Sequence, residues 1–128
     1  MRKAWFFLSF FCAASADADW VFLTQSEGGD KFFVDPDSRK TGEHPRVWVL
    51  GDYAKPLVGG VNEDEIRSGK DLQEADCTDG KLRSLGLIAF GGPGGAGQVV
   101  RSENLSREWR YVAPGSINHV IFQYLCDQ

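Results

Sequence analysis

The chain has 128 residues, 25% of them charged, and a formal net charge of −4 at pH 7. That length suits one small domain and excludes two. The acidic balance lacks the basic footprint of nucleic-acid binding proteins, so we expect no nucleic-acid partner. It also argues against attraction to anionic membrane surfaces.

Residues 1–16 have the three parts of a secretory signal peptide. Arg2 and Lys3 give a positive start, Ala4–Ala14 is apolar, and Ala14–Ala16 offers small residues for cleavage. A buried N-terminal helix is the alternative, but the run is too short to span a bilayer. We therefore expect a signal peptide at 1–16 and a single exported domain at 17–128, periplasmic or at the cell surface, without a membrane span.

Three cysteines bear on anchoring and cross-linking. Cys12 follows Phe10 and Phe11, where a lipoprotein signal needs small residues, so we expect no lipid anchor. The remaining pair, Cys77 and Cys126, predicts a disulfide because an exported chain with an even number of cysteines usually forms one. Two free thiols are the alternative, and a metal site is disfavoured because the paired spacing of zinc ligands is missing.

Short apolar segments separated by turn residues predict strands. The run Arg46–Tyr53 is the strongest and is apolar on both faces, which is typical of a central strand. The polar stretch 55–70 reads as a loop. Gly28–Asp30, Asp35–Ser38 and Thr78–Lys81 read as turns. The other extended segments are Trp20–Gln25, Lys31–Asp35, Asp71–Cys77, Lys81–Phe90, Gln98–Ser102 and Glu108–Ala113.

In the C-terminal segment the spacing of apolar residues changes and predicts a helix. Ser116 is a suitable N-cap. Apolar residues then recur at helical spacing on one face: Ile117, Val120, Ile121, Tyr124 and Leu125. A strand over 119–126 is the alternative, since these residues are β-branched and aromatic. A helix covering the sheet, tied by Cys126 to Cys77, would explain how so short a chain closes a core.

The stretch Ile88–Val100 contains glycines at the spacing of a dinucleotide-binding fingerprint, at Gly92, Gly94 and Gly97. The fingerprint also needs a helix after the glycines and an acidic residue about twenty positions later. Neither is present, and Gln98 stands where a phosphate-binding loop would need lysine. We expect a wide connection between antiparallel strands, with any function through partner contact.

Two acidic patterns suggest cation sites. Asp35 and Asp37 have the spacing of a calcium loop, but Lys40 stands where glycine is required, and Arg39 and Lys40 would repel a cation. The cluster Glu63–Glu65 is typical of a solvated loop, with weak cation binding as the alternative. We expect a turn at the first site and assign no metal ligands.

The sequence predicts no enzyme. His44 and His119 belong to no nucleophile or metal motif, so we assign no catalytic or cofactor-binding residues and no cofactor. A hydrolase using two unassigned carboxylates is the remaining alternative. The chain is rich in aromatic residues that we expect mostly in the core: Trp20, Trp48, Trp109, Tyr53 and Tyr111. Any exposed together would mark a protein- or glycan-binding surface.

The ordered landmarks of the chain resemble the surface-adhesin protein E family of exported bacterial proteins. They are Trp20, "FVDPDSRK" from Phe33, "RVWVLGDY" from Arg46, "SGK" with "EADC" ending at Cys77, "GGPGGAG", Trp109, "APGS" from Ala113, and Cys126. They cover almost the whole chain after the expected signal peptide.

The resemblance implies an α+β domain, with a small antiparallel sheet of about five to six strands packed by a C-terminal helix and tied by the Cys77–Cys126 disulfide. It implies a non-enzymatic protein that binds protein partners, with host extracellular-matrix proteins as candidates. A periplasmic accessory or inhibitor domain is the alternative. The oligomeric state and the binding residues stay unassigned.

Overall fold

A computed structural model describes residues 19–58 and 64–127. These residues form seven strands and one α-helix: β1 Val21–Gln25, β2 Lys31–Val34, β3 Arg46–Val58, β4 Glu65–Asp76, β5 Lys81–Phe90, β6 Val99–Glu103, β7 Arg110–Tyr111 and α1 Ile117–Cys126. The expected signal peptide at 1–16 lies outside the described residues.

The strands form one antiparallel sheet in which β1 to β6 follow chain order and each pairs with the next. The short β7 pairs with the start of β5, beyond the end of β6. Such a meander needs only tight turns between neighbours. Gly29 and Gly80 provide positive φ angles of 94° and 68° in two of those turns. The predicted α+β class and antiparallel sheet are confirmed.

The register of the strands assigns each side chain to one face of the sheet, because successive residues point to opposite sides. Val34 on β2 pairs with Val49 on β3, and Val49 pairs with Asp71 on β4. This row lies on the face that α1 covers. The core on that face consists of Val34, Val47, Val49, Ala75, Leu82, Ile121 and Leu125.

Helix α1 closes the core over the ten residues Ile117–Cys126. Ser116 caps it, since its hydroxyl accepts a hydrogen bond from the His119 amide at 3.1 Å. At the other end, the Arg39 guanidinium donates to the Leu125 carbonyl at 3.1 Å. The helix prediction is confirmed, and Phe122 also packs against the core.

A disulfide joins the last residue of α1 to the end of the hairpin between β4 and β5. Cys77 and Cys126 have Cα atoms 5.6 Å apart and are separated by 49 positions in the chain. The bridge therefore holds the helix over the sheet at the end opposite its Ser116 cap. Within residues 19–58 and 64–127, no helix is long and apolar enough to cross a bilayer.

The loop predicted over 55–70 is wrong for most of its length. β3 continues to Val58 and β4 begins at Glu65, with Leu57 paired to Ile66. Backbone hydrogen bonds between the strands stabilise this extension, and most of its side chains are exposed. Because neither face is buried there, the sequence shows no strand-like alternation. Pro56 falls within a register shift between Asp52 and Leu57, where a missing N–H is tolerated.

The bounds of the other predicted segments differ less from the observed ones. Within Glu108–Ala113, only Arg110–Tyr111 is a strand. The segment Gln98–Ser102 corresponds to β6, which runs from Val99 to Glu103. The predicted turn at Asp35–Ser38 is a 3₁₀ turn capped by the Asp35 carboxylate.

Replacing both Cys77 and Cys126 by alanine should lower the free energy of unfolding by about 2–5 kcal/mol, because the loop that they close is long. Urea denaturation of the two proteins measures the difference. Thiol labelling of the unfolded, unreduced parent should find neither residue reactive. Equal stability, or two labelled thiols in the parent, would contradict the predicted cross-link.

Candidate binding surface

The aromatic residues expected in the core lie elsewhere. Trp20, Trp48, Trp109 and Tyr53 are half-buried, and Tyr111 is 78% exposed. The residues fully buried beneath the helix are aliphatic. The core prediction for this set is therefore wrong, and the aromatic residues that pack against the core are Phe32, Phe122 and Tyr124.

Among residues 19–58 and 64–127, the second face of the sheet, which we call the open face, carries no α-helix. A row of paired residues crosses it on all six main strands: Phe22, Phe33, Leu50, Lys70, Ile88 and Ser102. Phe22 is 53% exposed and packs edge-on against Phe33, with ring centroids 5.8 Å apart. Aromatic and aliphatic groups on a solvent-facing sheet are typical of an interaction surface.

A hollow on the open face, the Trp hollow, has a volume of about 260 Å³ and is lined by Trp20, Asp35, Trp48, Lys70 and Ile88. The Lys70 ammonium lies 5.6 Å from the centroid of the Trp20 ring and 5.1 Å from that of Phe90. These contacts are cation–π interactions. Within the described residues, Lys70 forms no ion pair.

The turn after β2 fixes Asp35 beside Trp48. The Asp35 amide donates to the Trp48 carbonyl at 3.1 Å. The Ser38 hydroxyl accepts from the Trp48 amide at 3.0 Å and donates to the Asp35 carbonyl at 2.7 Å. One wall and one carboxylate of the Trp hollow are therefore held by the same hydrogen-bonded turn.

The glycine-rich connection, residues 91–98, folds back onto the open face. The fully buried Ser68 hydroxyl donates to the Gly92 carbonyl at 2.6 Å and accepts from the Gly95 amide at 2.8 Å. The Gly94 amide donates to Asp52 at 3.0 Å. These amides are already bonded within the chain, and the connection joins the antiparallel strands β5 and β6, as expected from the sequence.

Besides donating its amide to Ser68, Gly95 lies close to Lys70, where a side chain would clash. It has a φ of 80°, and a Cβ there would lie 2.9 Å from Lys70 Cε and 3.5 Å from Lys70 Nζ. Any larger residue would push the lysine head group aside. The absence of a side chain at Gly95 therefore leaves room for Lys70 to reach the Trp hollow.

A second polar group lies at the far end of the open face. Glu74, 9% exposed, pairs with Arg83 at 2.8 Å. The Arg83 guanidinium stacks 4.3 Å from the Trp109 ring centroid, and the His44 ring lies 5.1 Å from Trp109. The sequence indicated no role for His44, and its aromatic contact could not be predicted because the two residues are far apart in the chain.

A groove beside α1 consists of two adjoining cavities of about 360 and 230 Å³, which share Asp71, Gln73 and Asn118. Burial raises the pKa of Asp71, and hydrogen bonds from Ser84 and Gln73 oppose the change. Burial, followed by the charge of Asp71, raises the pKa of Tyr53. Nothing in the sequence marked Asp71, because its burial depends on where the helix lies.

The remaining candidates do not converge on one site. Asp35 caps the turn by accepting from the Asp37 amide at 3.2 Å. Glu65 pairs with Arg67, and Glu63 lies outside the described residues. The His119 ring accepts from the Gly115 amide at 3.2 Å, at the start of α1. Among residues 19–58 and 64–127, no group of three or more potential ligands is placed to hold a metal ion.

The fold is that of a small α+β domain with one antiparallel sheet, and comparisons with known proteins give its family. The family described as surface-adhesin protein E matches residues 20–127. The chain therefore belongs to the surface-adhesin protein E family, a family of adhesin-like surface proteins.

Crystal structures of Haemophilus influenzae protein E share the fold. One crystal form aligns over 84% of this chain and 87% of its own, with a TM-score of 0.66 and 13% identity. The protein from a non-typeable strain aligns over 89% of this chain and 79% of its own, with a TM-score of 0.62 and 12% identity. At such identities the likeness concerns the fold. A search of curated proteins finds no match.

Replacing Ser68 by alanine should destabilise the domain by about 1–3 kcal/mol, because the half-buried Gly92 carbonyl and Gly95 amide would both lose their partner. Urea denaturation measures this loss, and amide hydrogen exchange should become faster at Gly95. Ser102→Ala, at an exposed position of β6, is the matched control. Equal stability of the two variants would contradict the anchoring role of Ser68.

Replacing Asp71 by asparagine should stabilise the protein at neutral pH, since an amide keeps the acceptor for Ser84 and carries no charge. The pKa of Asp71 is raised above 3.8 in the folded state, so its ionisation costs stability above that raised value. The cost disappears as the pH falls below the ordinary carboxyl pKa. The advantage of the variant should disappear with it.

Urea denaturation at neutral and acidic pH tests this dependence, with the exposed Asp64→Asn as control. An ultraviolet titration should also show the Tyr53 pKa moving toward 10.0 in Asp71→Asn, because one neighbouring charge is removed. A stability gain that does not depend on pH would mean that burial of the carboxylate is not its source.

Proposed function

We propose that this protein is a non-enzymatic, adhesin-like domain that is exported to the bacterial cell surface and binds protein partners there, host extracellular-matrix proteins among them. The observation that carries the proposal is the family match over residues 20–127. A signal peptide at 1–16 and the absence of a lipid anchor are parts of the same proposal.

The open face is the surface best suited to such a partner. It presents Phe22 and Phe33 near the β1 edge and the indole rings of Trp20 and Trp48 beside them. Aromatic side chains supply most of the energy at protein interfaces, because they bury a large area and lose little rotamer freedom. Among the described residues, β1 and β6 are also the outer strands of the sheet order, where an extended segment of a partner could pair.

Solid-phase binding of the purified protein to a panel of matrix proteins tests the proposal. Phe22→Ser should weaken binding about tenfold or more, which corresponds to about 1.4 kcal/mol. Leu105→Ser is the matched control, since Leu105 is 72% exposed and lies between β6 and β7. Binding to none of the matrix proteins, or equal losses in both variants, would contradict this role for the open face.

A periplasmic accessory or inhibitor role predicts a different location. Protease added to intact cells should degrade an adhesin on the surface and leave a periplasmic domain untouched. Full protection on intact cells, with degradation after permeabilisation of the outer membrane, would support the periplasmic alternative.

A further inference from the structure

The Trp hollow combines two indole walls with one group of each charge. Trp20 and Trp48 form the aromatic part, Ile88 adds an aliphatic side, and Asp35 and Lys70 bring a carboxylate and an ammonium group. Its volume of about 260 Å³ lies just below the range of roughly 300–1,000 Å³ found for drug-sized ligands. The hollow is therefore large enough for a single small ring.

Both polar groups have hydrogen-bonding capacity to spare. The Lys70 ammonium contacts only aromatic rings among the charged and aromatic interactions of the described residues. Asp35 uses Oδ1 to cap the Asp37 amide, and no hydrogen bond within the described residues engages its other oxygen. The hollow thus offers ammonium donors and a carboxylate acceptor whose charges cancel.

These features suit a neutral ligand with an apolar face and polar edges. A pyranose ring has such a shape, since its axial C–H groups form an apolar face and its hydroxyls lie around the rim. The ring can stack on an indole while its hydroxyls donate to a carboxylate and accept from an ammonium group. A nucleotide or a uronic acid would bring a net negative charge that Lys70 attracts and Asp35 repels, so the balanced pair gives it no net attraction, while a neutral ring can use both groups.

We propose that the Trp hollow is a binding site for one neutral pyranose residue of a glycan, stacked against Trp48 or Trp20 and hydrogen-bonded by Asp35 and Lys70. The site is built in advance. The turn at Asp35–Ser38 holds the carboxylate and Trp48, the Trp20 and Phe90 rings contact the Lys70 ammonium, and Gly95 leaves room for that side chain. The inference deepens the proposed function, because a surface adhesin meets glycans on the glycoproteins that it binds.

Titration of the purified protein with methyl glycosides of glucose, galactose, mannose and N-acetylglucosamine tests the site directly. Binding should quench tryptophan fluorescence in a saturable way and shift the indole N–H signals of Trp20 and Trp48 in NMR spectra. Methyl glucuronide serves as the charged comparison and should bind at least tenfold more weakly than the best neutral glycoside.

Three substitutions separate the contributions. Trp48→Ala and Asp35→Asn should each weaken binding at least tenfold, and Lys70→Met should weaken it while keeping the apolar part of the side chain. Asparagine still accepts the Asp37 amide, so Asp35→Asn preserves the turn even if Trp48→Ala fails to fold. Trp109→Phe is the matched control, because Trp109 contacts Arg83 and His44 and does not line the hollow.

The outcomes also distinguish this inference from the proposed function. No saturable response to any neutral glycoside would overturn the sugar site, while protein binding lost in Phe22→Ser would still stand. Preferential binding of the glucuronide would overturn the neutral ligand. Sugar binding that survives both Trp48→Ala and Asp35→Asn would place the site elsewhere.

Discussion

In the part of the chain that the structure describes, one α-helix packs on a sheet of seven strands and can cover only one of its faces. The rest of the structure depends on this constraint. Helix α1 has ten residues, and the Cys77–Cys126 bridge holds it over one face. That face forms an aliphatic core with the helix. The described residues include no second α-helix for the other face, so hydrophobic side chains there stay partly exposed unless a loop or a partner covers them.

The glycine connection is the cover that the chain itself provides. Ser68 and Asp52 hold it against the open face, where it lies over Leu50 and beside Lys70. It covers only part of that surface and leaves Phe22 and the Trp hollow open. The same spacing of glycines that resembles a nucleotide fingerprint serves here for close approach of backbone to side chains. Family membership, open face and hollow all agree with a binding domain.

Local signals in the sequence were enough for most of the fold. The β-branched runs, the turns and the Ser116 cap each depend on near neighbours, and all correspond to observed elements. The error at 55–70 has the opposite cause. There, strand pairing provides the backbone hydrogen bonds while most side chains are exposed to solvent. The sequence therefore has no alternation that would predict the extension of β3 and β4. The candidate surface was harder to predict from the sequence, because Lys70, Trp20 and Phe90 are far apart in the chain.

The sequence by itself determined the α+β class, the antiparallel order, the helix, the cysteine pair and the family, because these follow from local patterns and ordered landmarks. Only the tertiary structure decided which face each aromatic residue occupies. Burial depends on what packs above a strand, and neither periodicity nor composition records that. Trp48 and Val49 are neighbours in β3, yet one lines an open hollow and the other lies beneath α1.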